Sequence, residues 1–439
     1  MSETKLVSFY TLGCKLNFSE TSTISRQLFD VGFTKTDFNK KADLYVINTC
    51  SVTENANKEC RRIIRKAKRI APNSTVVIIG CYAQLKPKVI AEMEGVDLVL
   101  GANEKFNLPK LVTNFKAKQS QKIHGCEIDK LDYHACYSLT DRSRSFLKIQ
   151  DGCDYPCTYC TIPLARGKSR CDSIENIVKN AMEIAKQGIK EIVLTGVNIG
   201  EFKDKNTGRN FSTLLKELEK VKGIERYRIS SIEPNLITDE IINFVKKSKK
   251  FMPHFHIPLQ SGSDIILGKM KRRYNTTLYR NKIQAIKKAI LNVCIGADVI
   301  VGFPGETEEE FNKTLHFIKD LQLSYLHVFS YSERENTEAV NLSEVVSKPK
   351  RAERSKQLRI LSDKLQRNFN QKYLNSVQTA LFERENKNGF LFGFTDNYIK
   401  VKIPFSKEFV QQKLKIKLLS FDKNKNVESE VLIPIINNQ

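Results

Sequence analysis

Three cysteines, Cys153, Cys157 and Cys160, stand at C-x3-C-x2-C spacing in the segment Asp-Gly-Cys-Asp-Tyr-Pro-Cys-Thr-Tyr-Cys that ends at Cys160. Three thiolates this close can hold three corners of a cubane iron–sulfur cluster. The fourth iron then lacks a protein ligand and can take a substrate or cofactor, as an open position on a catalytic metal does. A closed zinc site would need a fourth ligand, from Cys171 or a histidine. Three thiols grouped by chance is the bland alternative. A second set is scattered in sequence but shares a setting. Cys14, Cys50 and Cys81 each end a strand-like run, in Thr-Leu-Gly-Cys, Ile-Asn-Thr-Cys and Ile-Ile-Gly-Cys. In an open α/β sheet the carboxyl ends of parallel strands meet at one crevice, so the three converge. Gly13 and Gly80 let the backbone turn close to whatever is bound. A second three-cysteine site follows; three separate buried cysteines is the alternative. Cys60 falls on the apolar stripe Cys60, Ile63, Ile64, Ala67, Ile70 and reads as packing, as do Cys126, Cys136, Cys171 and Cys294.

The elements that must position these residues alternate. Residues 1–120 offer strand runs at 6–11, 44–48, 76–79 and 97–100, with helical patterns at 19–29 and 56–70, which predicts an open parallel sheet flanked by helices. Residues 121–140 read as a polar linker. Residues 141–375 begin a second series, with strands at 145–150, 191–197, 226–231, 254–260, 295–303 and 325–331. Helices between them open at Ser173, Ser212, Thr238, Thr276 and Thr307, residue types that cap a first turn. Six βα units curl, which predicts a partial (β/α)6 barrel with its chemistry at the strand C-termini. A charged helix spans 348–373. Five short strands in 376–439 then predict a small all-β barrel. The fold class is therefore α/β with an appended β-barrel.

The chain of 439 residues carries 72 Lys+Arg against 49 Asp+Glu, a net charge of +23. Such a balance favours a polyanion, and nucleic acid is the commonest. No apolar run approaches the length of a membrane span, and Met1-Ser-Glu-Thr-Lys5 lacks the layout of a signal peptide. The reading is cytoplasmic, where disulfides rarely persist and eleven cysteines point to metal or thiol chemistry. Lys58, Arg61, Arg62, Arg65, Lys66, Lys68 and Arg69 mostly lie opposite the Cys60 stripe, giving a helix basic outside and apolar inside. A phosphate-binding surface beside Cys50 is the functional reading, a solvated face the plain one. Lys269-Met-Lys-Arg-Arg273 after the fourth barrel strand is a further basic run. Phe390, Phe392 and Phe394 alternate on one strand face and are expected to fill the small barrel.

Together, Thr11-Leu-Gly-Cys-Lys-Leu-Asn17, Asn48-Thr-Cys-Ser-Val-Thr53, Gly80-Cys-Tyr-Ala-Gln84 and the C-x3-C-x2-C loop resemble the radical S-adenosylmethionine methylthiotransferases. The resemblance covers essentially the whole chain, including a C-terminal barrel like the TRAM RNA-binding module. The first two motifs look most like the branch acting on N6-threonylcarbamoyladenosine at position 37 of tRNA. The resemblance implies that Cys153, Cys157 and Cys160 hold a 4Fe–4S cluster that binds S-adenosylmethionine. Its cleavage would yield a 5′-deoxyadenosyl radical that takes hydrogen from carbon 2 of the adenine. Cys14, Cys50 and Cys81 would hold a second 4Fe–4S cluster that presents sulfur, and a second S-adenosylmethionine would donate the methyl group. By analogy with radical barrels, Thr195, Gly196, Ser230, Glu233, Gln260, Ser261, Val301 and Gly302 would approach the S-adenosylmethionine, with Asp298 and Arg273 as further candidates. Lys58, Arg61, Arg62, Arg65, Lys66 and Arg69 would meet the tRNA anticodon stem-loop. A low-potential electron donor is implied and no membrane. Alternatives are a methylthiotransferase for isopentenyladenosine in tRNA or for a ribosomal protein, and a zinc RNA-binding protein without catalysis.

Overall fold

The structure, a computed structural model, describes residues 5–50, 54–113, 122–125, 127–139 and 143–432; Cys126 lies outside them. The first unit is a six-stranded, all-parallel sheet. Its strands are β1 (Lys5–Thr11), β2 (Phe33–Lys35), β3 (Leu44–Thr49), β4 (Thr75–Gly80), β5 (Leu98–Leu100) and β6 (Ile123–His124), in the order β2-β1-β3-β4-β5-β6. β3 and β4 are central and covered on both faces, which is why they read as unbroken apolar runs. Alternate residues feed two cores. Tyr45, Ile47, Val76 and Ile78 pack with Cys60, Ile63, Ile64 and Ala67 of the helix Glu54–Ile70. Val46, Val77 and Ile79 pack on the other face with Ile24 and Leu28 of the helix Lys15–Asp30. The stretch read as a linker does more than connect: β6 joins the sheet edge, Cys136 is fully buried and Tyr137 pairs with Leu147. Its polar composition concealed a two-residue strand too short for periodicity to register.

The second unit starts with β7 (Arg144–Lys148). A small antiparallel pair, β8 (Gln150–Asp151) and β9 (Arg170–Cys171), brackets the cysteine loop. Then follow β10 (Glu191–Thr195), β11 (Arg226–Ile229), β12 (His254–His256), β13 (Cys294–Val301) and β14 (Tyr325–Ser330). They form two parallel three-stranded sheets, β11-β10-β7 and β12-β13-β14. Single bridges Tyr227↔Phe251 and Ser231↔His256 link the two into one curved array. Helix caps differ by a residue or two from the sequence reading in two cases: Ser173, Thr238 and Thr307 cap their helices, but Asn210 and Asn275 do so where Ser212 and Thr276 were expected. Asn is as good an acceptor for the first-turn N–H groups, and the cap falls where the chain first leaves extended geometry.

The alternation of each strand separates two environments. Outward residues such as Leu147, Ile192, Leu194, Ile229, Phe255, Ala297 and Val299 enter the main core beneath the helices. Inward positions carry Lys148, Glu191, Arg226, Arg228, His254, His256 and Asp298, so the lumen is charged.

The helix Lys348–Gln371 buries Leu358, Leu361 and Leu365 in that main core, and Phe369 near its end packs against the third unit. This unit is a closed barrel of β15 (Val377–Phe382), β16 (Phe390–Thr395), β17 (Lys400–Pro404), β18 (Lys413–Phe421) and β19 (Val427–Val431), ordered β15-β16-β17-β19-β18. Leu391 fills its interior with Phe382, Val401, Ile403, Ile416 and Leu418. Phe390, Phe392 and Phe394 therefore do not fill the barrel. They face outward, because Leu391 and Thr395 take the inner parity of the same strand. Lys402 and Lys400 lie over the Phe390 and Phe392 rings at 4.5 and 4.8 Å.

This barrel plugs the N-terminal end of the lumen. Arg226 donates to the carbonyl oxygens of Phe394 and Thr395, and Arg228 to those of Thr395 and Asp396, at 2.8–3.2 Å. Tyr398 stacks on His254 with centroids 4.2 Å apart. Leu391→Ala is expected to destabilise the C-terminal barrel by about 2–5 kcal/mol, whereas Phe390→Ala should cost less than about 1 kcal/mol. Urea unfolding of the two variants checks the assignment of inner and outer faces.

Candidate active site

Cys14 is the N-cap of the helix Lys15–Asp30, Cys50 follows β3, and Cys81 opens the helix Cys81–Leu85 directly after β4. The topology brings the three to one edge of the sheet. Two glycines make the approach possible. Gly13 has φ +96°, and a Cβ there would sit 2.7 Å from the Cβ of Cys50 and 2.9 Å from its sulfur. Gly80 also has φ +96°, and its Cβ would lie 2.3 Å from the carbonyl oxygen of Thr49. Any side chain at either position would push the strand ends apart. Asn17 ties the crevice together by donating to the carbonyl oxygens of Leu12 and Thr49 at 2.8 and 3.0 Å.

Cys153, Cys157 and Cys160 lie in the loop between β8 and the helix Ile162–Arg166, at the C-terminal mouth of the lumen. Backbone N–H groups of Tyr155 and Ile162 point at the sulfurs of Cys153 and Cys160 at 3.4 and 3.5 Å. Arg272 donates to the sulfur of Cys157 at 3.0 Å and pairs with Glu233. Burial pushes the Cys160 thiol up to about 12 and raises Cys157, on which Arg272 acts in the opposite sense. Three half-buried sulfurs that accept N–H and guanidinium donors fit ligation of an iron–sulfur cluster, where iron replaces the proton and outer hydrogen bonds hold the ligands.

The segments that carry the two triads are packed together. The helix beginning at Cys81 packs on the helix following Cys160. Arg166 at the end of the latter bonds Glu20 and Asp151 at 3.0 and 2.9 Å and the Oδ1 of Asn17 at 2.7 Å. Lys105 reaches Glu20 at 2.7 Å and Lys148 reaches Asp151 at 3.2 Å, all five charged groups being almost fully buried. Burial alone would raise the Glu20 carboxyl, but Arg166, Lys105 and Lys148 outweigh it and hold the group at about 2.

The expected S-adenosylmethionine contacts divide. Thr195, Gly196, Ser230 and Glu233 stand at strand C-termini around the Cys153 loop, and the buried Ser230 hydroxyl has no hydrogen-bond partner. Gln260, held at φ +61°, lines a cavity of about 240 Å³ with Tyr159, Cys160, Asp298, Ile300 and Arg334. Three positions correct the expectation. The Ser261 hydroxyl is within 3.2 Å of Thr314 Oγ1 inside the fold. The Val301 side chain joins the core behind the sheet, because parity gives Asp298 and Ile300 the inner face. Gly302 is a turn whose Cβ position is 2.2 Å from Arg351. Asp298 accepts from His256 and His327 at 2.9 and 3.2 Å, which holds its carboxyl far below the usual range. Arg273 lies over the Tyr155 ring at 4.1 Å, beside the cysteine loop.

On the helix Glu54–Ile70, Lys58, Arg61, Arg62, Arg65 and Arg69 are exposed and Lys66 half-buried. Arg62 pairs with Glu59 and Lys66 donates to Asn39, while Lys68 turns inward to Asp97. Residues that sequence reasoning missed are Arg166, Arg272, Glu20, Lys105 and Lys148, each of which acts across elements distant in sequence. Arg272 alone lay in a run already singled out, and nothing in its spacing marked it from its neighbours.

This combination of a strand-end cysteine crevice, a partial barrel with a C-x3-C-x2-C loop and a docked β-barrel defines a radical S-adenosylmethionine enzyme with an appended β-barrel module. Residues 6–101 match the uncharacterized protein family UPF0004, residues 147–318 the radical SAM superfamily and residues 371–432 the TRAM domain. The chain is 40% identical to the threonylcarbamoyladenosine tRNA methylthiotransferase MtaB of Bacillus subtilis, over 94% of this chain and 93% of that one. It is 31% identical to the tRNA-2-methylthio-N(6)-dimethylallyladenosine synthase of Clostridium tetani, over 93% and 92%. Among solved structures, the radical S-adenosylmethionine methyltransferase TsrM from Kitasatospora setae shares the fold, with TM-score 0.55 and 14% identity over 77% of each chain. The chain belongs to the radical SAM tRNA methylthiotransferase family: it is an enzyme of tRNA modification whose cofactors are 4Fe–4S iron–sulfur and S-adenosyl-L-methionine. No helix among the described residues is long and apolar enough to cross a membrane.

The buried ionic cluster gives the first test of this site. Glu20 ordinarily titrates near 4.5 but is held at about 2 in the fold. Its contribution to stability is therefore complete above pH 4.5 and lost as the pH falls toward 2. Glu20→Gln should flatten that part of the acid limb of a stability–pH profile. Arg166→Met leaves two buried carboxylates short of a partner and should cost about 3–5 kcal/mol, against less than about 1 kcal/mol for Arg62→Ala on the surface.

Proposed function

We propose that this enzyme methylthiolates carbon 2 of N6-threonylcarbamoyladenosine at position 37 of tRNA, using two 4Fe–4S clusters and two molecules of S-adenosylmethionine. The observation that supports the reading is the bonding of Arg166, at the end of the helix that follows the 153–160 loop, to Glu20 of the helix capped by Cys14 and to Asp151 of the barrel. Cys153, Cys157 and Cys160 hold one cluster, and Cys14, Cys50 and Cys81 the other. When bound, these groups supply reductive cleavage of S-adenosylmethionine and delivery of sulfur, chemistry that no side chain provides. The protein's own residues orient and enclose. Arg272 and the Tyr155 and Ile162 amides steady one set of sulfurs. Thr195, Gly196, Ser230, Glu233 and Gln260 form the rim that receives S-adenosylmethionine. Arg166 and Glu20 set the separation of the two triads, and the docked barrel closes the far end of the lumen to water. The identity to the Bacillus subtilis enzyme, higher than that to the Clostridium tetani synthase, favours the threonylcarbamoyl substrate.

The anticodon stem-loop approaches along the basic face of the helix Glu54–Ile70 and the outer phenylalanine face of the C-terminal barrel. Reaction takes place in the cytoplasm, where tRNA and a low-potential electron donor are both present. Nucleoside analysis of tRNA from cells lacking the gene tests the assignment. The methylthio group of threonylcarbamoyladenosine should disappear, and its persistence would refute the substrate. Cys50→Ala should abolish methylthiolation while cleavage of S-adenosylmethionine to 5′-deoxyadenosine continues; parallel loss of both would contradict the division of labour between the triads. Arg61→Glu with Arg65→Glu should weaken tRNA binding several-fold at low salt and reduce its salt dependence.

A further inference from the structure

A second cavity, of about 270 Å³, lies where the three units meet. Gly13, Lys15 and Phe18 come from the N-terminal unit, Tyr398 from the C-terminal barrel, Arg144, Phe146, Val193, Arg228 and His254 from inward positions of the central strands, and Ile229 from the end of β11. It is too small for a whole nucleotide and suits one substituent. Its wall carries three cationic side chains, Lys15, Arg144 and Arg228, and no acidic residue. Two of these cations are already paired: Arg228 bonds Glu191 at 3.1 Å, a carboxylate that also bonds Arg226 at 2.8 Å, and Arg144 bonds Glu383 at 3.1 Å and lies 3.8 Å from Glu191. Lys15 has no ion-pair partner among the described residues. His254, 6% exposed, keeps its Nδ1 without a partner while Nε2 is bonded to the Tyr325 hydroxyl. The remaining wall is apolar and aromatic. Cationic donors beside Phe18, Val193 and Ile229 describe a host for a small aliphatic group that bears an anion.

The position is informative. Gly13 adjoins Cys14, so one side of the cavity reaches the crevice of the first triad. Lys15 is also electrostatically coupled to Asp298, which lines the cavity beside Cys160. A nucleobase held between the two triads would direct its exocyclic substituent here. An N6-threonylcarbamoyl group ends in a carboxylate on a small aliphatic body. A dimethylallyl group is wholly apolar and would give neither the Lys15 ammonium nor the unpartnered Nδ1 of His254 anything to bond.

We propose that this cavity receives the carboxylate-bearing N6 substituent of the target adenosine, with Lys15 as the specificity-determining cation and His254 as its companion. The inference rests on the methylthiotransferase reading and goes beyond it by naming the residues that choose the substrate.

The test uses the full-length, anaerobically reconstituted enzyme and two anticodon stem-loop RNAs. One bears N6-threonylcarbamoyladenosine, and the other the same nucleoside with its carboxylate converted to the neutral amide. The wild type should prefer the acid by roughly 10- to 100-fold in kcat/KM, the worth of a hydrogen bond to a charged group. Lys15→Gln should erase most of that preference, and Lys15→Arg should restore it. A general structural defect would lower both substrates together and leave the ratio intact, which would overturn the proposal. A wild type that methylthiolates acid and amide equally would overturn it as well while upholding the reaction. If neither RNA is methylthiolated but one bearing dimethylallyladenosine is, the substrate assignment itself falls and takes this inference with it.

Discussion

The arrangement of this molecule depends on a buried ionic cluster that crosses a unit boundary. Asn17, Glu20 and Lys105 belong to the N-terminal sheet unit, whereas Lys148, Asp151 and Arg166 belong to the barrel. Each charge has left water, and each is tolerated only because its partners are in place. The cluster therefore admits one docking geometry. Sliding the sheet unit over the barrel would strand several buried charges at once. An apolar interface of equal size would tolerate such slippage far better. Chemistry that must join atoms held by two units needs that constraint more than it needs raw stability.

The lumen carries the same logic to the opposite end. A barrel whose inward residues are Glu191, Arg226, Arg228 and Lys148 has no dry apolar filling. Its N-terminal end is satisfied by the backbone carbonyls of the docked β-barrel, which accept from Arg226 and Arg228. The module that matches the TRAM domain is thereby joined to the floor of the lumen rather than tethered beside it. The Phe390 and Phe392 rings, capped by Lys402 and Lys400, remain on its outer surface. The outer surface of the barrel and the lumen are thus joined by stacked rings, from Phe394 and Tyr398 to His254.

Several local features serve this plan at modest cost. Gly13 and Gly80 occupy a backbone region that disfavours side chains, and both sit beside cysteines of one triad. Gln260, in the same backbone region without being glycine, lines the cavity beside Cys160. Conformations of this kind persist where surrounding structure over-determines them.

Much of this was legible in the chain itself. The alternation of strand and helix patterns, the C-x3-C-x2-C loop and the shared strand-end setting of Cys14, Cys50 and Cys81 are local signals, carried by spacing and by the period of burial. Strand parity could be read in the same way, yet it misplaced Phe390, Phe392 and Phe394, because alternation separates two faces without saying which one is inside. The Val301 side chain lies behind the sheet for the same reason. Arg166, Glu20, Lys105 and Lys148 carried no local signal: a charged residue in isolation reads as solvent-exposed, and only partners distant in sequence make its burial tolerable. Sequence by itself thus determined the elements and the cysteine tripods, which depend on near neighbours. The ionic cluster between the units that carry them, the plugged lumen and the cationic cavity were decided only by tertiary structure, because each is a property of surfaces from separate units brought into contact.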